Sequence, residues 1–371
     1  MVVAAAAPKL SLQCEAIAGD TSTIRSLDWD RSRFDIEFGL RNGTTYNAFL
    51  VRGERTALID TSHAKFRDTW IPLLKEQIEP TAIDVLIVSH TEPDHSGLIG
   101  DLIDLNPDIE IVGSKVALQF LQDQVHRPFK SRAVKSGEEL DLGTNPESGI
   151  QHRFEFLSAP NLHWPDTIFS FDHGTGILYT CDAFGLHYCS DDVFDSDPGA
   201  IAPDFRFYYD CLMGPNARSV LQALKRMGGL PEINTIAVGH GPLLRHHLSH
   251  WVNDYREWSG QRSKGESYAA VCYLSQYGFS DRISQAIAHG IGKAEAQVQL
   301  VDLRATDPQE LTALIGDAKA VVVPTWPAEP DGELQASIGT LLAALHPKQL
   351  VGVFDAFGGN DEPIDAVADQ L

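Results

Sequence analysis

Four side chains able to ligate a metal fall within six residues, His90-Thr91-Glu92-Pro93-Asp94-His95, and Ser96-Gly97 follow at once. Two imidazoles and two carboxylates packed that tightly are electrostatically costly, and a divalent or trivalent cation removes the cost. Pro93 stiffens the segment, and Gly97 permits a tight turn out of it. Three more candidates stand in similar settings: His163 in Pro160-Asn161-Leu162-His163-Trp164-Pro165-Asp166, Asp182 after Gly176–Cys181, and His240 after Thr235–Gly239. An isolated aspartate is commonly a turn former, so most weight rests on the six-residue segment. Of the 14 histidines, His63, His126, His152, His173, His246, His247, His250, His289 and His346 read as surface or internally bonded residues. His187, five residues past Asp182, reads as a candidate support for the ligands.

Such residues need strands to deliver them. Ile83–Ser89 reads as a buried strand ending on the metal segment, Phe154–Ser158 precedes His163, and Gly176–Cys181 and Thr235–Gly239 lead into Asp182 and His240. Four C-terminal strand ends therefore converge on one sheet edge. Around them Arg33–Leu40 and Tyr46–Asp60 read as β structure, the second folding back at Arg52-Gly53-Glu54-Arg55. Phe66–Gln77 and Leu98–Asn106 read as helices, Glu110–Gly113 and Ile168–Phe171 as strands. From Tyr268 the rhythm alternates strictly. Strands Tyr268–Leu274, Gln297–Leu303, Ala320–Pro324 and Gln349–Phe354 take turns with helices Asp281–His289, Pro308–Ile315, Glu333–Leu345 and a last one from Glu362. Alternation of this kind means βαβ units and a parallel sheet. Two domains are expected, residues 1–254 and 267–371, joined by a charged linker over 255–266.

A chain of 371 residues suits two domains, and 43% hydrophobic with 22% charged residues supplies a sizeable core. With 29 basic against 51 acidic side chains the formal net charge is −22. That surface repels nucleic-acid phosphates and anionic lipid, so neither nucleic acid nor membrane is an expected partner. Apolar runs such as Ala320–Val323 are far too short to span a bilayer, and the opening residues do not read as a secretory leader. Cys14, Cys181, Cys189, Cys211 and Cys272 are scattered and odd in number, with no Cys-x-x-Cys. This argues against a zinc ribbon, a redox dithiol or a disulfide scaffold and for a reducing cytoplasm.

On these residues the sequence resembles the flavodiiron proteins (A-type flavoproteins): His-x-Glu-x-Asp-His-Ser-Gly from His90 to Gly97, then a distant His, Asp and His. The resemblance implies an α/β fold, a metallo-β-lactamase-like αββα sandwich followed by a flavodoxin-like doubly wound parallel sheet. The wider metallo-β-lactamase group carries His-x-His-x-Asp-His and often binds zinc. Here Glu92 stands at the second His, and a hard carboxylate suits iron. Carried over, the resemblance implies two irons, one held by His90, Glu92 and His163, the other by Asp94, His95 and His240, with Asp182 bridging. Trp164, Phe184 and Tyr208 are candidates for the walls of a dry pocket.

Ser275-Gln276-Tyr277-Gly278-Phe279-Ser280 lies between a strand and a helix, where hydroxyls and free backbone N–H groups suit a phosphate. In position it resembles the flavodoxin phosphate loop, which implies FMN held through Ser275, Tyr277, Gly278, Phe279 and Ser280. The loops Pro324-Thr325-Trp326-Pro327 and Ala356-Phe357-Gly358-Gly359 fall where flavodoxin-like folds hold the isoalloxazine ring. Pro324, Thr325 and Trp326 are assigned to it, with Trp326 as the stacking residue. Gly358 joins them, in a loop where the family often has a tryptophan. About four of the usual five βα units precede Leu371, so the flavodoxin-like domain is expected to be incomplete, with an open sheet edge.

Stretches such as Ser26–Asp30 and Asn42–Asn47 are most similar to the cyanobacterial and plant branch, whose members typically carry a C-terminal flavin-reductase domain. Either the sequence is a piece of a longer chain, or electrons are expected from another protein, a donor flavoprotein or reductase. The implied function is reduction of dioxygen to water, or of nitric oxide to nitrous oxide. It is implied for a head-to-tail dimer or higher oligomer that brings the FMN of one subunit to the irons of the other. Two readings compete. A zinc hydrolase is disfavoured by Glu92 and the flavin loop, and a non-catalytic partner subunit by the complete ligand set.

Overall fold

The computed structural model describes residues 9–34, 38–263, 268–274, 280–294, 296–304, 306, 308–327, 329–354 and 367. Their contacts divide into two compact units. The first holds the residues up to Ala159 with Asp166–Asp210 and Ala223–Tyr255; the second holds Pro160–Pro165, Cys211–Gln222 and the chain from Arg256. Among the described residues no helix is long and apolar enough to cross a membrane.

Two large sheets build the first unit, beside a two-stranded antiparallel ribbon of Arg33–Phe34 and Phe38–Gly39. Strands β1 (Leu10–Ala18), β2 (Thr21–Asp28), β3 (Thr44–Arg52), β4 (Thr56–Ile59), β5 (Val85–Val88), β6 (Glu110–Gly113) and β7 (Lys130–Ala133) form one sheet in chain order. It is antiparallel as far as β4 and parallel beyond. The apolar run Val85–Val88 is buried along its whole length, as a strand covered on both faces must be. Helix α1 (Arg67–Gln77) is followed by the short α2 (Pro93–Ser96), α3 (Ile99–Leu105) and α4 (Lys115–Val125). Trp70, Leu74, Ile99, Leu102 and Leu121 from these helices share one core cluster with Leu58, Leu86 and Ile111 of the sheet.

The second sheet runs β8 (Glu139–Thr144), β9 (Gln151–Ser158), β10 (Ile168–Asp172), β11 (Ile177–Cys181) and β12 (Thr235–Val238), again in chain order. It is antiparallel except for the last pair. The rings of Phe49 on β3 and Tyr179 on β11 meet edge to face, centroids 5.1 Å apart. Asn47 on β3 stitches the sheets together: its Nδ2 donates to the carbonyls of Val238 and Gly241, both at 2.9 Å, and its backbone N–H to that of Gly239. Helices α5 (Pro198–Tyr208) and α6 (Ala217–Met227) follow β11 in the chain.

Helix α7 (Leu248–Ser263) runs through most of the stretch expected to be a linker. The two units part at Tyr255 and Arg256, within that stretch, and Trp251, Tyr255 and Ser259 recur every four residues and are all buried, which is one face of a helix. The second unit then holds β13 (Tyr268–Tyr273), β14 (Gln297–Asp302), β15 (Ala320–Pro324) and β16 (Leu350–Phe354), all parallel in the order β14-β13-β15-β16. This is the flavodoxin-like winding, with its switch point between β13 and β15. Helices α8 (Ser280–Lys293), α9 (Pro308–Asp317) and α10 (Gly332–Ala344) alternate with the strands. Apolar clusters cover both faces, one with Ala270, Val323, Leu311 and Leu341, the other with Val271, Tyr273 and Ala288. The helix expected from Glu362 lies outside the described residues apart from Val367, which is helical.

His152 on β9 ties the two sheets of the first unit together. Its Nδ1 lies 2.8 Å from Oδ2 of Asp172, at the end of β10, and its Nε2 3.4 Å from Oδ2 of Asp20, in the β1–β2 turn. Burial alone would lower its pKa, but Asp172 and then Asp20 outweigh burial and raise it. The folded state therefore binds this proton more tightly than the unfolded chain does. The stabilisation is full below the unfolded pKa of about 6.5 and fades as the pH rises through the folded value. In urea unfolding, His152→Gln should cost about 1–3 kcal/mol at pH 6 and distinctly less at pH 9. An equal loss at both pH values would mean that His152 is neutral in the folded protein.

Candidate metal centre

The metal segment leaves β5 at Ser89, whose N–H donates to Asp60 Oδ1 at 2.8 Å. Pro93 opens α2, which carries Asp94 and His95 on a single turn. Ser96 Oγ closes that turn by donating to the carbonyls of Thr91 and Glu92. A side chain at Gly97 would lie 2.4 Å from the Pro93 carbonyl, so only glycine fits there. Asp182 directly follows β11, and His240 follows β12 by one residue. One sheet thus supplies the segment and the other supplies Asp182 and His240.

Six of the seven expected ligands come together in the first unit, none more than 5% exposed. His90 Nε2 stands 3.3 Å from both Glu92 Oε2 and Asp182 Oδ2. His95 Nε2 and His240 Nε2 are 3.2 Å apart, and each lies within 3.2 Å of the other Asp182 oxygen, Oδ1. Asp94 completes this second group, its Oδ1 3.6 Å from His95 and its Oδ2 3.2 Å from His240. Edges of that length separate atoms that share a first-row metal at about 2.1 Å. Asp94 is buried, and the partners of its oxygens, His95 and His240, are themselves members of the set. The donor set therefore fits cations well. His163, the seventh, is buried in Pro160–Pro165, where its Nδ1 lies 3.2 Å from Nε2 of Gln285 on α8.

Backbone and side-chain partners orient the rings. His240 Nδ1 is 2.6 Å from the carbonyl of Thr45, which can only accept, so Nδ1 carries a proton and Nε2 is the nitrogen turned toward the cluster. His90 Nδ1 lies 2.9 Å from Asp166 Oδ1. The other oxygen of Asp166 is fixed by the N–H and hydroxyl of Thr91 at 2.7 and 2.6 Å. A side chain at Gly239 would come within 2.7 Å of the His95 ring, so this glycine is shaped to the ligand. Tyr208 Oη donates to Asp182 Oδ1 at 3.1 Å. Asp166, Thr45, Asn47 and Gly239 were missed from sequence. Asp166 alone left a hint there, as the last residue of the His163 segment.

The charges show what the cluster lacks within itself. Burial disfavours the imidazolium of His240, but Asp182 and Asp94 outweigh burial and push its pKa up to about 10. Burial likewise opposes ionisation of Asp94, but His95 and His240 hold its carboxyl below the usual carboxylate range. Carboxylates here seek positive charge so strongly that they keep protons on histidines, and a bound metal ion satisfies that demand.

Of the residues assigned to a flavin, Ser275, Tyr277, Gly278, Phe279 and Gly358 lie outside the described residues, as does the Ser280 side chain. Ser280 begins α8, and Pro324 ends β15. Thr325 donates its N–H to the carbonyl of Phe354 at 2.9 Å. Trp326 is 6% exposed and belongs to the apolar cluster of the second unit.

The family model described as ODP family beta lactamase matches residues 44–241, more than half of the chain. The chain is 56% identical over 357 residues to diflavin flavoprotein A 1 of Synechocystis sp. (strain PCC 6803), covering 96% of this chain and 61% of that protein. It spans 61–62% of the length of the curated relatives that it matches in this way. The metal-soaked Flv1 flavodiiron core from Synechocystis sp. PCC6803 has a TM-score of 0.85 at 31% identity, with 98% of this chain and 90% of that one covered. Rubredoxin oxygen:oxidoreductase from Desulfovibrio gigas, at 24% identity and a TM-score of 0.63 over 97% of this chain and 89% of that one, shares the fold. With its metallo-β-lactamase-like sheets, its buried His/Asp/Glu cluster and these relatives, the chain belongs to the flavodiiron proteins, the A-type flavoproteins.

Proposed function

We propose that this chain holds a pair of non-haem irons and an FMN and reduces dioxygen to water or nitric oxide to nitrous oxide. One observation carries the reading: Asp182 turns Oδ2 toward His90 and Oδ1 toward His95 and His240. A carboxylate that bridges two metals must stand in this way. His90, Glu92 and His163 would then be the remaining ligands of one iron, and Asp94, His95 and His240 those of the other. The carboxylate of Glu92 favours iron over a softer metal. Bound there, two ferrous ions with a fully reduced FMN supply the four electrons that turn one dioxygen into two waters.

The residues of the chain do the rest. Asp166 and the Thr45 carbonyl hold His90 and His240 in the tautomer that ligates. Tyr208 holds its proton tightly, because burial and then Asp182 raise its pKa well above that of a free phenol, and it keeps a hydrogen bond on the bridge. Burial of every ligand excludes bulk water, which keeps reactive oxygen from escaping.

For the flavin, the β13–β15 switch point is where doubly wound sheets take their ligands, at the carboxyl ends of the strands. The N-terminus of α8, at Ser280, is suited to the phosphate. Ser275, Tyr277, Gly278, Phe279, Pro324, Thr325, Trp326 and Gly358 complete the proposed site. A donor flavoprotein or reductase would supply electrons in the cytoplasm, and a head-to-tail pair of subunits would bring FMN and irons together.

Reconstituted with ferrous iron and FMN and given a reduced flavoprotein donor, the protein should consume one of the two gases. Asp182→Ala should abolish the uptake and most of the iron, and His246→Ala should spare both. A chain that prefers zinc and consumes neither gas would sink the reading. Asp166→Asn should weaken iron affinity by about 10–100-fold in a chelator competition; wild-type affinity would show that Asp166 does not tune His90. Ser280→Ala should weaken FMN roughly tenfold by fluorescence titration with iron content unchanged, and undiminished binding would remove Ser280 from the phosphate site.

A further inference from the structure

Tyr208 and His187 each touch the ligand cluster and also line a cavity of about 480 Å³. That is many times the ~30 Å³ share of one water in the liquid. One wall is a face of α5, where Ala200, Pro203 and Asp204 fall at helical spacing. The segment Gly39–Asn42 forms the other wall, and Asn42 Nδ2 donates to Asp204 Oδ2 at 2.9 Å between the two. Ala200 and Pro203 are exposed while His187 and Tyr208 are buried, so the cavity leads from solvent down to these two rings. Beyond the floor the ligands begin: Tyr208 Oη is 3.1 Å from Asp182 Oδ1, and the His187 and His240 rings lie 4.8 Å apart between centroids.

We propose that this cavity is the passage by which a small uncharged gas reaches the metal centre. The inference rests on the reading of that centre as gas-consuming. Its chemistry selects the traveller. Arg41 and Asp204 line the cavity with opposite charges, so its walls favour neither sign of ion, and an anion would meet the Asp182 carboxylate behind the floor. A larger organic molecule would have to displace two buried rings. A diatomic gas needs neither charge pairing nor hydrogen bonds, and one layer of side chains separates it from the ligands.

Two variants block the passage without touching a ligand. Ala200→Trp adds bulk at the exposed mouth, and Gly39→Phe adds it where a side chain would meet nothing within 4 Å. Glu76→Trp, exposed on α1 and outside the cavity, is the control. The probe is nitric oxide mixed anaerobically with reduced, iron-loaded protein in a stopped flow. Its association rate should fall roughly fivefold or more in both blocked variants, with equal final uptake and iron content, and stay at the parental value in the control. Parental rates in both blocked variants would overturn the passage. Xenon NMR under pressure, which needs neither iron nor turnover, should show a saturable site in the parent that both variants lose. Xenon lost with nitric oxide rates unchanged would overturn the proposal as well. A parent that binds nitric oxide at a rate set by these walls yet reduces neither gas would end the reductase reading and leave the passage standing.

Discussion

Three carboxylates and three imidazoles, all buried, converge until their nearest ligand atoms are 3.1–3.6 Å apart, and the first unit is arranged around that concentration of charge. In a site so far from water such a set is tolerable only if opposite charge lies among the groups. Within the six only the histidines can carry it, as protons that a bound metal ion would displace. What the chain supplies is rigidity. His90–His95 comes from the end of one sheet, and Asp182 and His240 come from the end of the other. The cluster therefore exists only while the two sheets keep their register, and Asn47 fixes that register at the point where His240 leaves β12.

The support extends outward in layers. Asp166 receives His90 and is held in turn by Thr91, which belongs to the metal segment itself. The loop thus braces its own first ligand through a residue 76 positions away. Gly97 and Gly239 act by having no side chain, one leaving room for the Pro93 carbonyl of α2 and the other for the His95 ring. Preorganisation of this sort lets a site keep its geometry while the charge at its centre changes.

The same layering explains what the sequence could disclose. The metal segment was legible because its density of ligand types has no inexpensive structural explanation. Asp182 and His240 were legible because each ends an apolar run of strand length. Asp166, Thr45, Asn47 and Gly239 were not, since their roles are defined by contacts across 75 to 195 positions and no local pattern marks them. Among the elements, β7 reads Lys-Ser-Arg-Ala and has no apolar face to betray it at the sheet edge. The β1–β2 hairpin went unread because the polar residues of β1 are those of a half-exposed edge strand. Helix α7 hid behind its charges, its buried face being only one residue in four. In the second unit the strict alternation gave the sheet away, yet the parallel order with β13 inside β14 and β15 follows from right-handed crossovers rather than from any residue.

Charge counting shows why Glu92 matters most for the proposed iron pair. Glu92, Asp94 and Asp182 place three negative charges against two divalent ions, leaving one net positive charge on the reduced centre. An imidazole at position 92 would leave two. Each electron that departs adds a further positive charge to a site buried from water, where the surrounding field is weakly screened. A third carboxylate offsets part of that increase, so it favours the oxidised pair and makes the reduced pair a better donor. A hydrolytic zinc site has no such need, since its metal keeps one charge throughout. The carboxylate that separates this loop from the wider metallo-β-lactamase pattern would thus suit the proposed electron-transferring centre. It sits 3.3 Å from His90 Nε2, in direct reach of the metal that His90 would hold.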